Sequence, residues 1–143
     1  MKTGKAQLIS NKSDWQTPRE LFDRLDNEFH FTLDPCSSHE NALCKKHYTI
    51  AEDGLAQDWT GEVVFCNPPY GKEPLPKGIE KCATEKATCV MLIPARVSRI
   101  CFHRWIFGNP NAETRFIKGR LRFSNAKHNA PFDSVVVIFR NDA

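Results

Sequence analysis

Four consecutive apolar residues, Val63-Val64-Phe65-Cys66, run directly into Asn67-Pro68-Pro69-Tyr70, and this junction limits the fold more than any other stretch. A continuous apolar run bounded by turn residues reads as a strand buried on both faces, as in a parallel sheet covered by helices. Two prolines end it. Neither carries an N–H for a ladder, and each holds the residue before it in extended backbone. The strand must therefore stop at Cys66 and leave Asn67 extended at its carboxyl end. Cys89 to Ile93, ended by Pro94, predicts a second buried strand.

Around these strands the chain alternates. Thr17-Pro18-Arg19-Glu20 has the pattern of a capping box with Thr17 at N-cap and proline in the first turn. Leu21, Phe22, Leu25 and Phe29 then recur at helical spacing, predicting a helix from Pro18 to Phe29. His30 to Leu33 reads as a short strand halted by Asp34-Pro35. A loop follows from Cys36 to Asp53, with a short helix over Asn41 to Lys46. Pro74, Pro76 and Gly78 mark a loop, and Ile79, Cys82 and Ala83 a helix to about Lys86. Another helix spans Ile100 to Phe107. Three strand-like pieces end the chain: Thr114 to Ile117, Leu121 to Phe123 after a Lys118-Gly119 turn, and Ser134 to Phe139. The expectation is a single α/β domain with a mostly parallel sheet and an antiparallel C-terminal edge.

The length of 143 residues suits one such domain, over 14–143, behind a polar, flexible tail over 1–13. No apolar run approaches the ~20 residues of a membrane span, and the N-terminus lacks the apolar stretch of a signal peptide. Six scattered cysteines, two of them inside apolar runs, read as free thiols of a reducing, cytoplasmic compartment. The formal charge of +3 hides an asymmetry. Asp14 to Glu62 carries eleven acids and four bases, whereas Ala95 to Lys127 carries eight bases against Glu113. An acidic half suits a cation or a hydroxyl-rich ligand, and a basic half suits a polyanion; a plainly solvated charged face is the alternative.

In open α/β sheets ligands bind beyond the carboxyl ends of the strands. Asp34-Pro35 and Asn67-Pro68-Pro69-Tyr70 both have that placement, so both are expected at one pocket. An aromatic exocyclic amine is a poor nucleophile because its lone pair is delocalised into the ring. Two acceptors around its hydrogens draw the nitrogen towards tetrahedral geometry and stabilise the charge that develops on attack. The Asn67 side-chain oxygen and the Pro68 carbonyl are those acceptors, Pro69 shapes the turn, and Tyr70 is expected to stack on the base. No general base is needed before attack, because the ammonium product sheds its proton afterwards.

Taken in order, Trp15-Gln16-Thr17-Pro18, Leu33-Asp34-Pro35-Cys36, Asp53-Gly54-Leu55, Asp58-Trp59, Asn67-Pro68-Pro69-Tyr70, Gly119-Arg120-Leu121-Arg122-Phe123 and Ala130-Pro131-Phe132 resemble the phage-type DNA N6-adenine methyltransferases, a Dam family of phages and prophages. The resemblance implies a compact Rossmann-like class I methyltransferase fold, S-adenosylmethionine as cofactor, and transfer to adenine N6 in a DNA duplex, the adenine flipped out of the stack. It also implies expression from a phage or prophage in a bacterial host. Trp15, Thr17 and Pro18 would lie near the cofactor's methionine, and Asp34, Pro35 and Cys36 in its loop. Asp53, or failing it Asp58, would meet its adenine amine. Asn67, Pro68, Pro69 and Tyr70 would form the catalytic turn. Arg96, Arg99, Lys118, Arg120, Arg122 and Lys127 are the candidate DNA contacts, with Gly71 to Lys77 and Ser124 to Ala130 as specificity loops. The loop after Asp34 has no glycine, and Glu40 and Asn41 are the candidates for the ribose. On this division of labour, Asn67→Ala should abolish transfer and leave cofactor affinity largely intact.

Three other readings stay open. Cys36-x2-His39 and Cys44-x2-His47 have the spacing of a structural zinc site, although the cofactor-loop role of Cys36 expects no metal. The basic C-terminal third also suits a nucleic-acid-binding module without catalysis. An Asn-Pro-Pro-Tyr site would equally accept an RNA base or a protein amide.

Overall fold

The computed structural model describes residues 14–142; the tail read over 1–13 lies outside them. Four strands form one sheet in the order β1-β2-β4-β3: β1 (Val63–Cys66), β2 (Thr88–Pro94), β3 (Ala112–Phe116) and β4 (Ser134–Arg140). β1 and β2 run parallel, Cys66 opposite Met91. β4 pairs antiparallel with both β2 and β3. The sheet is thus mixed rather than mostly parallel, because the valine-rich β4 enters beside β2 instead of extending the edge. β2 and β4 are buried along nearly their whole length, as their continuous apolar runs require. β3, with Glu113 and Arg115, is the half-buried edge.

The strand expected over His30 to Leu33 is reduced to single parallel bridges, Leu33 to Val64 and Asp34 to His47. Phe65 N–H donates to Leu33 O at 3.0 Å, and Pro35 stops the ladder there. Asp34 therefore leaves the sheet beside β1, at the end from which Asn67 emerges.

Helix α1 spans Arg19–Phe29, with Pro18 outside it at ψ 131° and no side-chain cap. Thr17 is not the N-cap that its sequence context predicts; its hydroxyl accepts from Asn67 instead. α1 buries Leu21, Phe22 and Leu25, and the Phe22 ring meets Phe65 edge-on at 5.3 Å. Helix α2 spans Pro74–Thr84, so the prolines expected in a loop occupy its first turn, where no N–H is needed. A Cβ on Gly78 of α2 would lie 3.8 Å from Met91 Cε, and Met91 is the register partner of Cys66, so α2 covers the Cys66 face. Phe65 and Cys66 are neighbours on β1 and point to opposite faces, so α1 and α2 cover opposite sides of the sheet. Gly78 allows this packing: a Cβ there would lie 3.0 Å from Pro68 Cβ.

Two further expectations change. Residues 41–46 form turns rather than a helix, because their backbone serves Asp34: Leu43 N–H donates to its carboxylate at 3.0 Å, and Lys46 O accepts its N–H at 3.1 Å. Leu121 to Phe123 is irregular, with Ala130 N–H donating to Leu121 O at 2.7 Å and Phe123 turned into the core. The helix expected over Ile100 to Phe107 is present over 100–106, wound as a π-helix at Phe102–Ile106.

The loop before β1 is fixed by packing. The indole N–H of fully buried Trp59 donates to Gly54 O at 2.9 Å. A Cβ on Gly54 would lie 1.9 Å from Pro35 O, so only glycine lets this loop press against the one that follows Asp34. Gly54→Ala is therefore expected to lower unfolding free energy by at least about 1–3 kcal/mol, read by urea denaturation.

Candidate active site

Asn67 leaves β1 with each end of its side-chain amide engaged. Nδ2 donates to Trp15 O and, at 2.9 Å, to Thr17 Oγ1; Oδ1 accepts from the Tyr70 hydroxyl at 2.6 Å. A carbonyl only accepts, so Trp15 O fixes which end of the amide faces which partner. The Tyr70 hydroxyl has a second acceptor, Leu92 O, at 2.8 Å. Among the described residues none donates to the Pro68 carbonyl. Arg96 Nη1 donates to Tyr70 O at 3.1 Å and braces the turn from β2's side.

Tyr70 does not present its ring. It is 3 % exposed and packs edge-on against Phe123 and Phe132, at 6.2 and 5.8 Å. Trp15 meets the same two rings at 5.3 and 5.2 Å. This aromatic cluster encloses Tyr70, so the expected stacking face is unavailable in this conformation. Burial also raises the Tyr70 phenol well above its ordinary value, keeping it a hydrogen-bond donor.

Polar bonds tie the C-terminal loop to the N-terminal segment. Ser124 Oγ donates to Thr17 O at 2.8 Å, Ser124 N–H to Gln16 O at 2.9 Å, and Asn125 Nδ2 to Asp14 O at 2.7 Å. Ser124 and Asn125, expected in a specificity loop, thus clasp Asp14 to Thr17 against Asn67. Neither Ser124 nor Asn125 carries a sequence signal for this role.

A cavity opens in two lobes at this end of β1. The smaller, about 240 Å³, is lined by Trp15, Thr17, Asp34, Glu40 and Ser124; the larger, about 360 Å³, by Pro35, Ile50, Asp53, Leu55, Pro69 and Pro74. Asp14, Cys36, Ser37, Asn41 and Asn67 line both. The structure therefore brings together Trp15, Thr17, Asp34, Pro35, Cys36, Asp53, Asn67 and Pro69. Pro18, Pro68 and Tyr70 are not among the residues that line it. Asp58 lies away from it, where its carboxylate accepts from Thr60 N–H at 2.9 Å and Thr60 Oγ1 at 2.6 Å. Those bonds hold its carboxyl below the usual range and explain its place in a local turn rather than at a ligand.

Asp34 is buried, and burial raises its pKa against the opposing pull of the Leu43 and Cys36 N–H groups. A raised carboxyl favours folding at acid pH and loses that contribution as pH rises through its folded value. Asp53 has φ 52°, a left-handed conformation uncommon outside glycine and frequent at functional sites. Beside Asp34, the buried Ser37 Oγ has no partner of good geometry.

The zinc spacing does not assemble. His39 Nδ1 and His47 Nε2 are 2.9 Å apart in a direct hydrogen bond, and among the described residues no group of three His, Cys, Asp or Glu side chains is placed to hold a metal ion. The Cys66 thiol and burial hold Cys36 well above the usual thiol value, and burial pushes Cys44 up to about 12.

Of the candidate DNA contacts, Lys118, Arg120, Arg122 and Lys127 are exposed, while Arg96 and Arg99 are half-buried. Arg120 lies 3.8 Å from Asp133, an exposed pair of little energetic weight. Arg115, part of the basic half, is neutralised internally by Glu28 at 2.7 and 2.8 Å and Glu113 at 2.6 Å. No helix among the described residues is long and apolar enough to cross a membrane.

A two-lobed cleft thus opens at the carboxyl end of a strand in an α/β protein, with Asn67 and Pro69 of the Asn-Pro-Pro-Tyr turn in its wall. The family model described as DNA N-6-adenine-methyltransferase (Dam) matches residues 5–141, and the chain belongs to that family. It is similar to the protein named "DNA N-6-adenine-methyltransferase" of Escherichia phage T1, 33 % identical over 92 residues, which is 62 % of this chain and 38 % of the phage protein. It is also similar to "Putative methyltransferase YfdM" of Escherichia coli (strain K12), 35 % identical over 63 residues, 39 % of this chain and 69 % of that protein. The match thus spans well under half of the phage protein's length.

Tyr70→Phe removes the hydroxyl shared by Asn67 and Leu92 and leaves a buried carbonyl unpaired. A loss of about 1–3 kcal/mol in unfolding free energy is expected, checked by urea denaturation against wild type.

Proposed function

We propose that this protein transfers a methyl group from S-adenosylmethionine to the N6 amine of an adenine flipped out of duplex DNA, using residues 14–143 as one catalytic domain of Rossmann-like class I type. The observation that carries this reading is Asn67, which lines both lobes and whose Oδ1 accepts from Tyr70 of the same Asn-Pro-Pro-Tyr turn.

The residues fit the cofactor. A pocket for such a ligand encloses about 300–1,000 Å³ and combines apolar walls with a few polar groups. The larger lobe offers Ile50, left 94 % exposed by the protein alone, together with Leu55, Pro69 and Pro74. Asp53 at its rim is the partner for the adenine amine. The smaller lobe offers Asp34, Glu40 and Asn41 around the unpartnered Ser37 hydroxyl, a set suited to a ribose and a cationic amino-acid end. When bound, the cofactor supplies an electrophilic methyl group on a sulfonium.

The protein's own contribution is to hold the target amine. Asn67 Oδ1 and Pro68 O accept its two hydrogens, and the positive charge developing on nitrogen strengthens both bonds. Asn67 Oδ1 is already bonded to Tyr70, but the Tyr70 proton can turn to Leu92 O at 2.8 Å. The asparagine is thereby released for the amine without stranding a buried hydroxyl. Arg99, Lys118, Arg120, Arg122 and Lys127 supply phosphate contacts, with Arg96 bracing the turn. The acceptor-amide chemistry does not itself choose DNA; family membership favours it over RNA or protein.

The test is incubation of the protein with labelled S-adenosylmethionine and DNA, RNA or protein acceptors, followed by nucleoside analysis. N6-methyladenine in DNA is expected. Its absence from every DNA tried, with cofactor binding confirmed, contradicts the proposal.

A further inference from the structure

We propose that Ile100 is a wedge that enters the duplex and fills the space vacated by the flipped adenine; the inference rests on the DNA-methylation reading above. Extruding a base leaves a gap in the stack, and proteins that unstack base steps commonly insert an apolar side chain there.

Ile100 is 82 % exposed and Val97, on the same turn, 45 % exposed. Single exposed apolar residues are ordinary on protein surfaces. Here position, charge and rigidity add to exposure. The turn begins where β2 ends at Pro94, and β2 runs parallel to β1 with Met91 opposite Cys66. It therefore leaves the sheet at the edge from which Asn67 emerges. Arg96 of this turn donates to Tyr70 O at 3.1 Å, joining the turn directly to the catalytic loop.

From Ala95 to Asn111 the chain carries Arg96, Arg99 and Arg104 and no carboxylate, a balance that suits an apolar tip pressed between phosphates. The turn is also braced. Ala95 N–H donates to Asp133 O at 2.8 Å, Arg99 N–H to Arg96 O at 3.0 Å and Phe102 N–H to Arg99 O at 3.1 Å. His103 Nε2 donates to Val97 O at 2.8 Å, and the fully buried Phe102 anchors the end. A wedge must not fold back when pushed into a stack, and these bonds resist that. The other large exposed apolar residues lack this combination: Ile50 lines the cofactor lobe, Phe107 packs against Phe102 and His103, and Phe116 lies on the edge strand beside the neutralised Arg115.

The experiment uses the full chain and a duplex with one mapped target adenine, either paired with thymine or opposite an abasic site, where extrusion is already eased. Ile100→Ala should lower kcat/KM on the paired duplex about tenfold and leave the abasic-partner substrate and cofactor affinity near wild type. 2-Aminopurine at the target should lose most of its binding-induced fluorescence. Ile100→Met, which keeps apolar bulk, should restore both readouts. Equal activity of Ile100→Ala on the paired duplex, or an equal loss on both substrates, overturns the wedge while leaving the methylation reading intact. A changed oligomeric state with unchanged duplex methylation also overturns it, assigning Ile100 to a protein contact. Failure of the wild-type protein to methylate any DNA overturns both proposals together.

Discussion

The side-chain amide of Asn67 joins three parts of the chain at one atom group. Its nitrogen holds Trp15 O and Thr17 Oγ1, and its oxygen holds the Tyr70 hydroxyl. The N-terminal segment, the end of β1 and the aromatic cluster thus share one planar group of fixed orientation. An asparagine is the residue type that can do this, since the carbonyl of Trp15 demands a donor and the hydroxyl of Tyr70 an acceptor. Aspartate would face Trp15 O with a second acceptor, and leucine would strip Trp15 O and Thr17 Oγ1 of their donor and leave the Tyr70 hydroxyl to Leu92 O alone.

The rest of the molecule holds that amide in place. The parallel pair β1–β2 fixes the point at which Asn67 leaves the sheet. α2 packs through Gly78 onto Pro68, so the turn cannot slide away from the strand end. Trp59 holds Gly54, and Gly54 lies against Pro35, which sets the two cofactor-side loops against each other. Ser124 and Asn125 close the N-terminal segment from outside. These contacts explain why the two lobes of the cavity meet at Asn67, Cys36 and Ser37 rather than opening separately.

Features written in local covalent rules were legible in the sequence. The paired prolines fixed the end of β1, the apolar runs identified β1, β2 and β4, and the helical spacing of Leu21, Phe22 and Leu25 identified α1. The convergence of Asp34 and Asn67 followed from strand-end logic. Features that depend on competition between distant partners were not legible. Thr17 has a capping context, yet the amide of Asn67, fifty residues away, takes its hydroxyl. Residues 41–46 read as a short helix within a loop, yet their backbone is drawn to a buried carboxylate. Tyr70 is an aromatic next to a candidate site, yet Phe123 and Phe132 enclose it. The strand order also escaped prediction, because β4 gains more by burial beside β2 than by extending an edge.

The same geometry revises the separation of tasks expected from sequence. Asn67 is bonded to the residues that line the cofactor side, so removing its side chain should loosen Trp15 and Thr17 as well as empty the amine site. The most direct measurement is S-adenosylmethionine affinity of Asn67→Ala by isothermal titration calorimetry, with folding checked by circular dichroism. Affinity weakened by about tenfold, the cost of hydrogen bonds lost at the cavity wall, is expected from a folded variant that has also lost methyl transfer. A folded variant that binds the cofactor as tightly as wild type would contradict the role of Asn67 as the link between the two halves of the site.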